Sequence, residues 1–182
     1  YALYAEIIWS QVFENPSALS PSVPADWLFA PKYRHVVRAN LHGRDDLPAG
    51  WKSEPCSMRA GTFDFLCSRW QDGLAVAREG SAPLRAKFRG EVLLLYGESA
   101  EQSAEAVVLV DGKPVSTWDT SGFGRKFPPS AWLVWPVGSA FDPSVEHDLE
   151  IRGIFKPGTG RELRLGSICV AGREAAEVKF VR

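Results

Sequence analysis

The chain has 182 residues, 45% of them apolar and 24% charged, with a formal net charge of −1. This is the composition of a globular protein, long enough for one domain of ordinary size plus a short extra piece. Lys and Arg are scattered without a run of like charge, so the basic patch that a nucleic-acid or membrane-surface binder needs is missing, and no apolar run approaches the length of a membrane span. A neutral ligand such as a sugar remains compatible with this balance.

The first segment reads as a helix over 1–15. Tyr1, Tyr4, Ile8 and Val12 recur at helical spacing, and Leu3 and Ile7 widen the apolar stripe. Asn15-Pro16 ends it, because the residue before a proline is pushed out of the helical region. No Ser, Thr, Asp or Asn precedes Tyr1 to cap the free N–H groups, so the segment is expected to be the last helix of a neighbouring domain. No secretory leader is expected within it, since Tyr1 opens directly on the patterned segment.

Residues 16–60 read as a connector followed by irregular chain. Pro, Ser and Ala dominate as far as Pro31, and His35, His42 and the turn signal Leu47-Pro48-Ala49-Gly50 fall in the remainder.

From about Gly61 to the end, at 182, the period changes to two. Leu84, Ala86 and Phe88 alternate with Arg85, Lys87 and Arg89, as expected for a strand with one wet face. Glu91 to Tyr96 is a denser apolar strand. Ala106–Val110, Asp111-Gly112 and Lys113–Trp118 read as a hairpin, because Asp-Gly supplies the positive φ angles of a tight primed turn. Pro136 confines the run from Trp132 to Trp135 to an edge or a strand end. His147, Leu149 and Ile151, then Leu163–Val170, then Val178–Val181 complete the set, with a turn at Lys156-Pro157-Gly158-Thr159-Gly160. Many short strands without a long helix between them predict a mainly β fold, an antiparallel β-sandwich of jelly-roll-like kind.

No complete catalytic set is legible. There is no G-x-S-x-G motif, and Gly97-Glu98-Ser99 reads as a polar loop with too few residues after it for a supporting helix. His147 lies between Glu146 and Asp148, but neighbours on a strand point to opposite faces, so it is expected to start a strand and bond to a loop. Three scattered His and three Cys give no metal-ligand spacing, and Gly158-Thr159-Gly160 is a turn rather than a phosphate cradle, so neither metal nor cofactor is expected. Cys56 and Cys67 either bridge a loop or stay as thiols.

The remaining signal is aromatic. A sugar presents an apolar C–H face on which Trp stacks while polar side chains bond its hydroxyls. Trp118, Phe123 and Trp132 bracket the long polar loop Asp119–Ser130, which holds Arg125 and Lys126. We take Trp118, Phe123, Arg125 and Trp132 as candidate ligand-binding residues. The plainer reading is that these aromatics cap the end of the core.

The opening Tyr1-Ala2-Leu3-Tyr4-Ala5-Glu6 resembles the start of the last helix in SGNH/GDSL-type hydrolases, Y-x-x-Y/L-A-E, which commonly follows the D-x-x-H-P-x-x-x-G block with the catalytic Asp and His. The later segment resembles β-sandwich accessory domains of carbohydrate esterases in that group. The matching features are the apolar strand after Phe88-Arg89-Gly90, the Val110-Asp111-Gly112 turn, and His147-Asp148-Leu149-Glu150-Ile151 leading to Leu165-Gly166-Ser167-Ile168. The resemblance implies three parts: 1–15 as the terminal helix of an α/β SGNH-like domain, 16–60 as connector, and 61–182 as the accessory sandwich. It implies an SGNH-like catalytic domain as partner, in the same parent protein or a companion chain, and a glycan as ligand. It also implies a parent serine ester hydrolase acting outside the cell or in the periplasm. The family's catalytic Ser, oxyanion residues, Asp and His match no position here, so no catalytic residue is carried over.

Overall fold

The computed structural model describes Leu3, Glu6, Trp9 and residues 33–56, 73–100, 102–118 and 130–181. The chain divides into two compact units, Tyr1–Ala30 and Pro31–Arg182. In the first, Leu3 and Glu6 are α-helical and Trp9 lies in a π-helical turn; the rest of the expected helix 1–15 lies outside the described residues.

Among the described residues the second unit holds eleven strands. They are β1 (His35–Asn40), β2 (Lys52–Glu54), β3 (Leu74–Ala77), β4 (Leu84–Arg89), β5 (Val92–Ala100), β6 (Glu105–Val110), β7 (Lys113–Trp118), β8 (Ser130–Gly138), β9 (His147–Ile154), β10 (Leu163–Gly172) and β11 (Glu177–Phe180). Every pairing between these strands is antiparallel. Sheet A runs β2-β3-β10-β5-β8, with β1 alongside the other half of β10, and sheet B runs β11-β4-β9-β6-β7. The fold is the expected antiparallel β-sandwich.

The alternation in the sequence decides what lies between the sheets. Leu84, Ala86 and Phe88 of β4 and Leu149 and Ile151 of β9 are buried from sheet B, and Leu93 and Leu95 of β5 with Leu165, Ile168 and Val170 of β10 from sheet A. The Asp111-Gly112 turn has φ of 52° and 74°, the doubly positive pair of a primed hairpin turn, as expected. Strand β8 is an edge of sheet A, and Pro136 is exposed within it, so its missing N–H leaves no bond unmade inside the sheet. Two of the seven tryptophans are core side chains with a satisfied indole: Trp135 Nε1 donates to Ser116 Oγ of β7 at 2.8 Å, and Trp51 Nε1 to the Ala82 carbonyl at 2.8 Å.

Two expectations are corrected. First, the segment read as irregular contributes β1 and β2 to sheet A. Their sequences hid them: β2 is the short polar tripeptide Lys-Ser-Glu, and β1 pairs on one side only, leaving Val36 64% exposed. Second, Gly97-Glu98-Ser99 is not a loop but the last turn-free stretch of β5. It pairs on both sides, Glu98 with Arg164 of β10 and with Trp132 of β8.

Strand β10 organises sheet A. Its register against β5 shifts between Leu165 and Ser167, and the Gly166 carbonyl turns to accept the N–H of Leu41 at 2.9 Å. On its other side, β1 pairs with Ser167–Gly172 and β3 with Leu163–Leu165. The bulge is therefore the point at which β10 changes partner.

Candidate functional site

The outward face of sheet A, turned away from the core, carries a continuous row of paired residues. Lys52 pairs with Val76, Val76 with Arg164, Arg164 with Glu98, and Glu98 with Trp132. The row thus crosses β2, β3, β10 and β5, and the backbone pairing continues from Glu98 to β8 at the edge of the sheet.

Its centre is an ionic network. Arg164 Nε donates to Glu98 Oε2 at 3.0 Å, Nη1 to Glu162 Oε2 at 2.9 Å, and Nη2 to the Pro55 carbonyl at 2.8 Å. Arg78 holds Glu54 with both Nη groups, at 2.5 and 2.9 Å, and its Nε donates to Glu162 at 2.8 Å. The Glu98 side chain is wholly buried and that of Arg164 is 12% exposed. The hydrogen bond from Arg78 holds the Glu54 carboxyl below the ordinary carboxylate value, against the opposing pull of burial. Burial works against the charge of Arg164, but its bonds to Glu98 and Glu162 outweigh that and raise its pKa.

Beside this network several outward-facing residues are buried. Leu74 and Val76 are 0% exposed although neither belongs to the core cluster, and Tyr96 and Ser167 are also buried. Arg38 donates through Nε to Ser167 Oγ at 3.0 Å, and its guanidinium carbon sits 5.3 Å from the centre of the Tyr96 ring. Farther along the same face Val134 is exposed and the Cys169 thiol half-buried, with burial pushing its pKa up.

The structure places the predicted residues as follows. Trp118 ends β7, opposite Ala106, and Trp132 lies in β8, opposite Glu98. These strands are edges of sheets B and A, and the Trp135–Ser116 bond ties the two edges together. Both tryptophans therefore stand where the chain leaves and re-enters the sandwich around the loop. Phe123 and Arg125, and Cys67 with the pairing considered for it, lie outside the described residues.

The expected role of His147 is borne out. It starts β9, with Nδ1 2.8 Å from Asp111 Oδ2 and Nε2 3.0 Å from the Asp142 carbonyl. Asp111 Oδ1 also accepts the Asp148 N–H at 2.9 Å, and the bond to His147 is the main reason its carboxyl lies below the ordinary value. With the ring stacked on Phe88 at 5.1 Å between centroids, both nitrogens are committed and neither faces a serine. This is a clasp between the β6–β7 turn and the β8–β9 loop, without the geometry of a triad. Ser99 is buried within β5. Among the described residues no group of three His, Cys, Asp or Glu side chains could hold a metal ion.

Sequence reasoning missed Glu98, Arg164, Glu54, Arg78 and Glu162. One signal was available: Glu98 comes two residues after the apolar run Val92–Tyr96, where a charge must find a partner once buried.

No protein-family model matches the chain, and no curated protein matches it either. Among solved structures it is similar to a two-domain esterase, CEX, active on acetylated mannans. In the form co-crystallised with mannopentaose the TM-score is 0.64 at 16% identity, over 96% of this chain and 46% of that one. For the same esterase in a second structure the TM-score is 0.63 at 15% identity, over 96% of this chain and 47% of that one. The chain thus spans just under half the length of those esterase chains, and what it shares with that part of them is the fold.

Proposed function

We propose that this chain is the C-terminal accessory portion of an SGNH-type carbohydrate esterase that removes acetyl groups from glycans. The observation that carries the reading is the fold likeness along nearly the whole chain to a two-domain esterase active on acetylated mannans. The Tyr-Ala-Leu-Tyr-Ala-Glu opening and the absence of a nucleophile–His pair among the described residues support it. In this reading the nucleophile is a serine on another stretch of polypeptide, an SGNH-like catalytic domain, and works through an acyl-serine intermediate. The compartment is extracellular or periplasmic, where polymeric glycans are met.

The sandwich contributes binding. Trp118 and Trp132 supply stacking surface at the two tied edges, and Phe123 and Arg125 in the loop between them supply further contact and hydrogen bonding. Calorimetric titration of the 182-residue chain with mannopentaose tests this. Saturable binding that is lost on Trp118→Ala or Trp132→Ala supports it; wild-type chain that releases no heat overturns it.

A second reading is a structural or buttressing domain that binds no glycan. The same titration separates the two, since a buttress gives no heat with the sugar.

A further inference from the structure

We infer that His147 is held with a hydrogen on both ring nitrogens, and that its clasp is a proton-dependent latch closing one end of the sandwich. Its two partners dictate this. Asp111 Oδ2 stands 2.8 Å from Nδ1, and the Asp142 carbonyl oxygen 3.0 Å from Nε2. A carbonyl oxygen can only accept, and so can an ionised carboxylate. The Asp111 carboxyl lies below its ordinary value, first because of this bond, so it is ionised at neutral pH and brings no hydrogen. A neutral imidazole carries one N–H, and would leave the other oxygen facing a bare lone pair. Only the imidazolium donates to both.

The charged groups around the ring leave Asp111 as its bonded counter-ion. The β6–β7 turn brings Asp111, with Lys113 acting on it from the next position but one. In the β8–β9 loop, the Asp142 carboxylate is taken up by Ser144, and Glu146 by Lys87 of β4 and Lys179 of β11. Lys179 is shared with Glu177, and Asp148 of β9 pairs with Lys87. Phe88 stacks on the ring at 5.1 Å between centroids and Phe141 meets it at 5.6 Å, and aromatic rings attract a cation. Burial opposes the charge, and these contacts offset it.

The latch holds the loop that crosses from sheet A to sheet B. Phe141, on that loop, lies edge-on to Phe88 at 5.2 Å and packs over Gly138, where a Cβ would stand 2.7 Å from its ring. Its N–H donates to the Glu91 carbonyl at 3.1 Å. When the ring gives one proton to water, the bond to the carboxylate is the stronger of the two and is kept. The bond from Nε2 to the Asp142 carbonyl is the one lost. The β6–β7 turn stays tied to β9 by its two backbone contacts, Asp111 N–H to the Asp148 carbonyl and Asp148 N–H to Asp111 Oδ1, both at 2.9 Å. The β8–β9 loop is therefore the element released, and with it the Phe141 cover over Phe88.

The test uses the full chain with nitrogen-15-labelled histidine, its rings followed by NMR against pH and assigned through His35→Gln and His42→Gln. As pH rises, both His147 nitrogens should keep their hydrogen after the exposed His35 has lost one. Amide exchange reads the loop on the same chain. Protection of the Phe141 N–H should fall by up to about tenfold per pH unit between about pH 6.5, the ordinary histidine value, and the release of the His147 proton. Above that point it should level off, and the Leu41 N–H, bonded to the Gly166 carbonyl in sheet A, should keep its protection throughout. Asp111→Asn removes the counter-ion and keeps the turn, because Asn-Gly suits the same primed geometry. In it His147 should release its proton no later than His35, and the pH dependence at Phe141 should shrink. His147→Gln should abolish that dependence; if it does not fold, Asp111→Asn carries the comparison. A wild-type His147 that becomes neutral with or before His35 overturns the latch, as does Phe141 protection that is independent of pH.

Discussion

The outward faces of the two sheets are built from the same residue types and come out differently. On sheet B the charges form a ladder open to water. Arg85 and Glu150 are 2.9 Å apart, Lys87 and Asp148 3.0 Å, and the side chains of Arg85 and Asp148 are 60% and 72% exposed. They line a shallow surface hollow of about 320 Å³ with no aromatic side chain in it. On sheet A the Arg164 network is withdrawn from solvent and flanked by Leu74 and Val76, which are wholly buried. An exposed ion pair is worth little, whereas a buried one constrains geometry and becomes costly once broken. Sheet B thus presents a solvated wall, and the ionic network of sheet A is largely withdrawn from water.

Breaking one ion pair on each face gives the largest contrast. Arg164→Ala strands the buried Glu98 carboxylate and should cost about 3–5 kcal/mol in urea unfolding. Arg85→Ala, on the exposed ladder, should cost less than about 1 kcal/mol. Equal losses would end the distinction between the faces. The apolar residues allow a finer comparison. Leu74→Ala on the outward side of sheet A should cost about 2–5 kcal/mol, as in a true core. Leu109, half-buried on the outward side of sheet B, should lose clearly less on the same change, since the site is already partly open to water. If Leu74→Ala costs no more than Leu109→Ala, the outward layer of sheet A is not packed.

Much of sheet B was legible in the sequence, and the contrast explains why. A strand with one dry and one wet face shows its period directly, as Leu84–Arg89 and His147–Ile154 do. The Asp111-Gly112 turn declared itself chemically. Sheet A carries buried residues on both faces, so its period is blurred: Leu74–Ala77 is buried at every position. Strands β1 and β2 escaped because one is a polar tripeptide and the other an edge. The site shows the same division. Trp118 and Trp132 could be named from residue type alone. The network around Arg164 could not, because Glu54, Arg78, Glu98 and Glu162 come from four separate stretches of chain and are brought together only by strand order.

Acid gives the smallest effect and the sharpest separation of the two faces. Glu54 titrates below its ordinary value of 4.5 in the folded chain, first because of the hydrogen bond from Arg78. A carboxyl with a depressed folded pKa contributes stability that is fully present above the unfolded value and is lost as pH falls through the folded one. Stability should therefore decline below about pH 4.5, and Glu54→Gln should flatten that decline while lowering stability at neutral pH. Glu146, beside sheet B, is also depressed, chiefly by its bond to Lys179, a partner that is 62% exposed. Salt tells the two apart, because at about 1 M the screening length shrinks to about 3 Å and acts first on exposed charges. The Glu54 part of the acid slope should persist in high salt, and any Glu146 part should vanish. A Glu54 contribution that disappears with salt would mean that the Arg78–Glu54 pair is as solvated as the ladder on sheet B, and that the ionic network on sheet A closes around Arg164 alone.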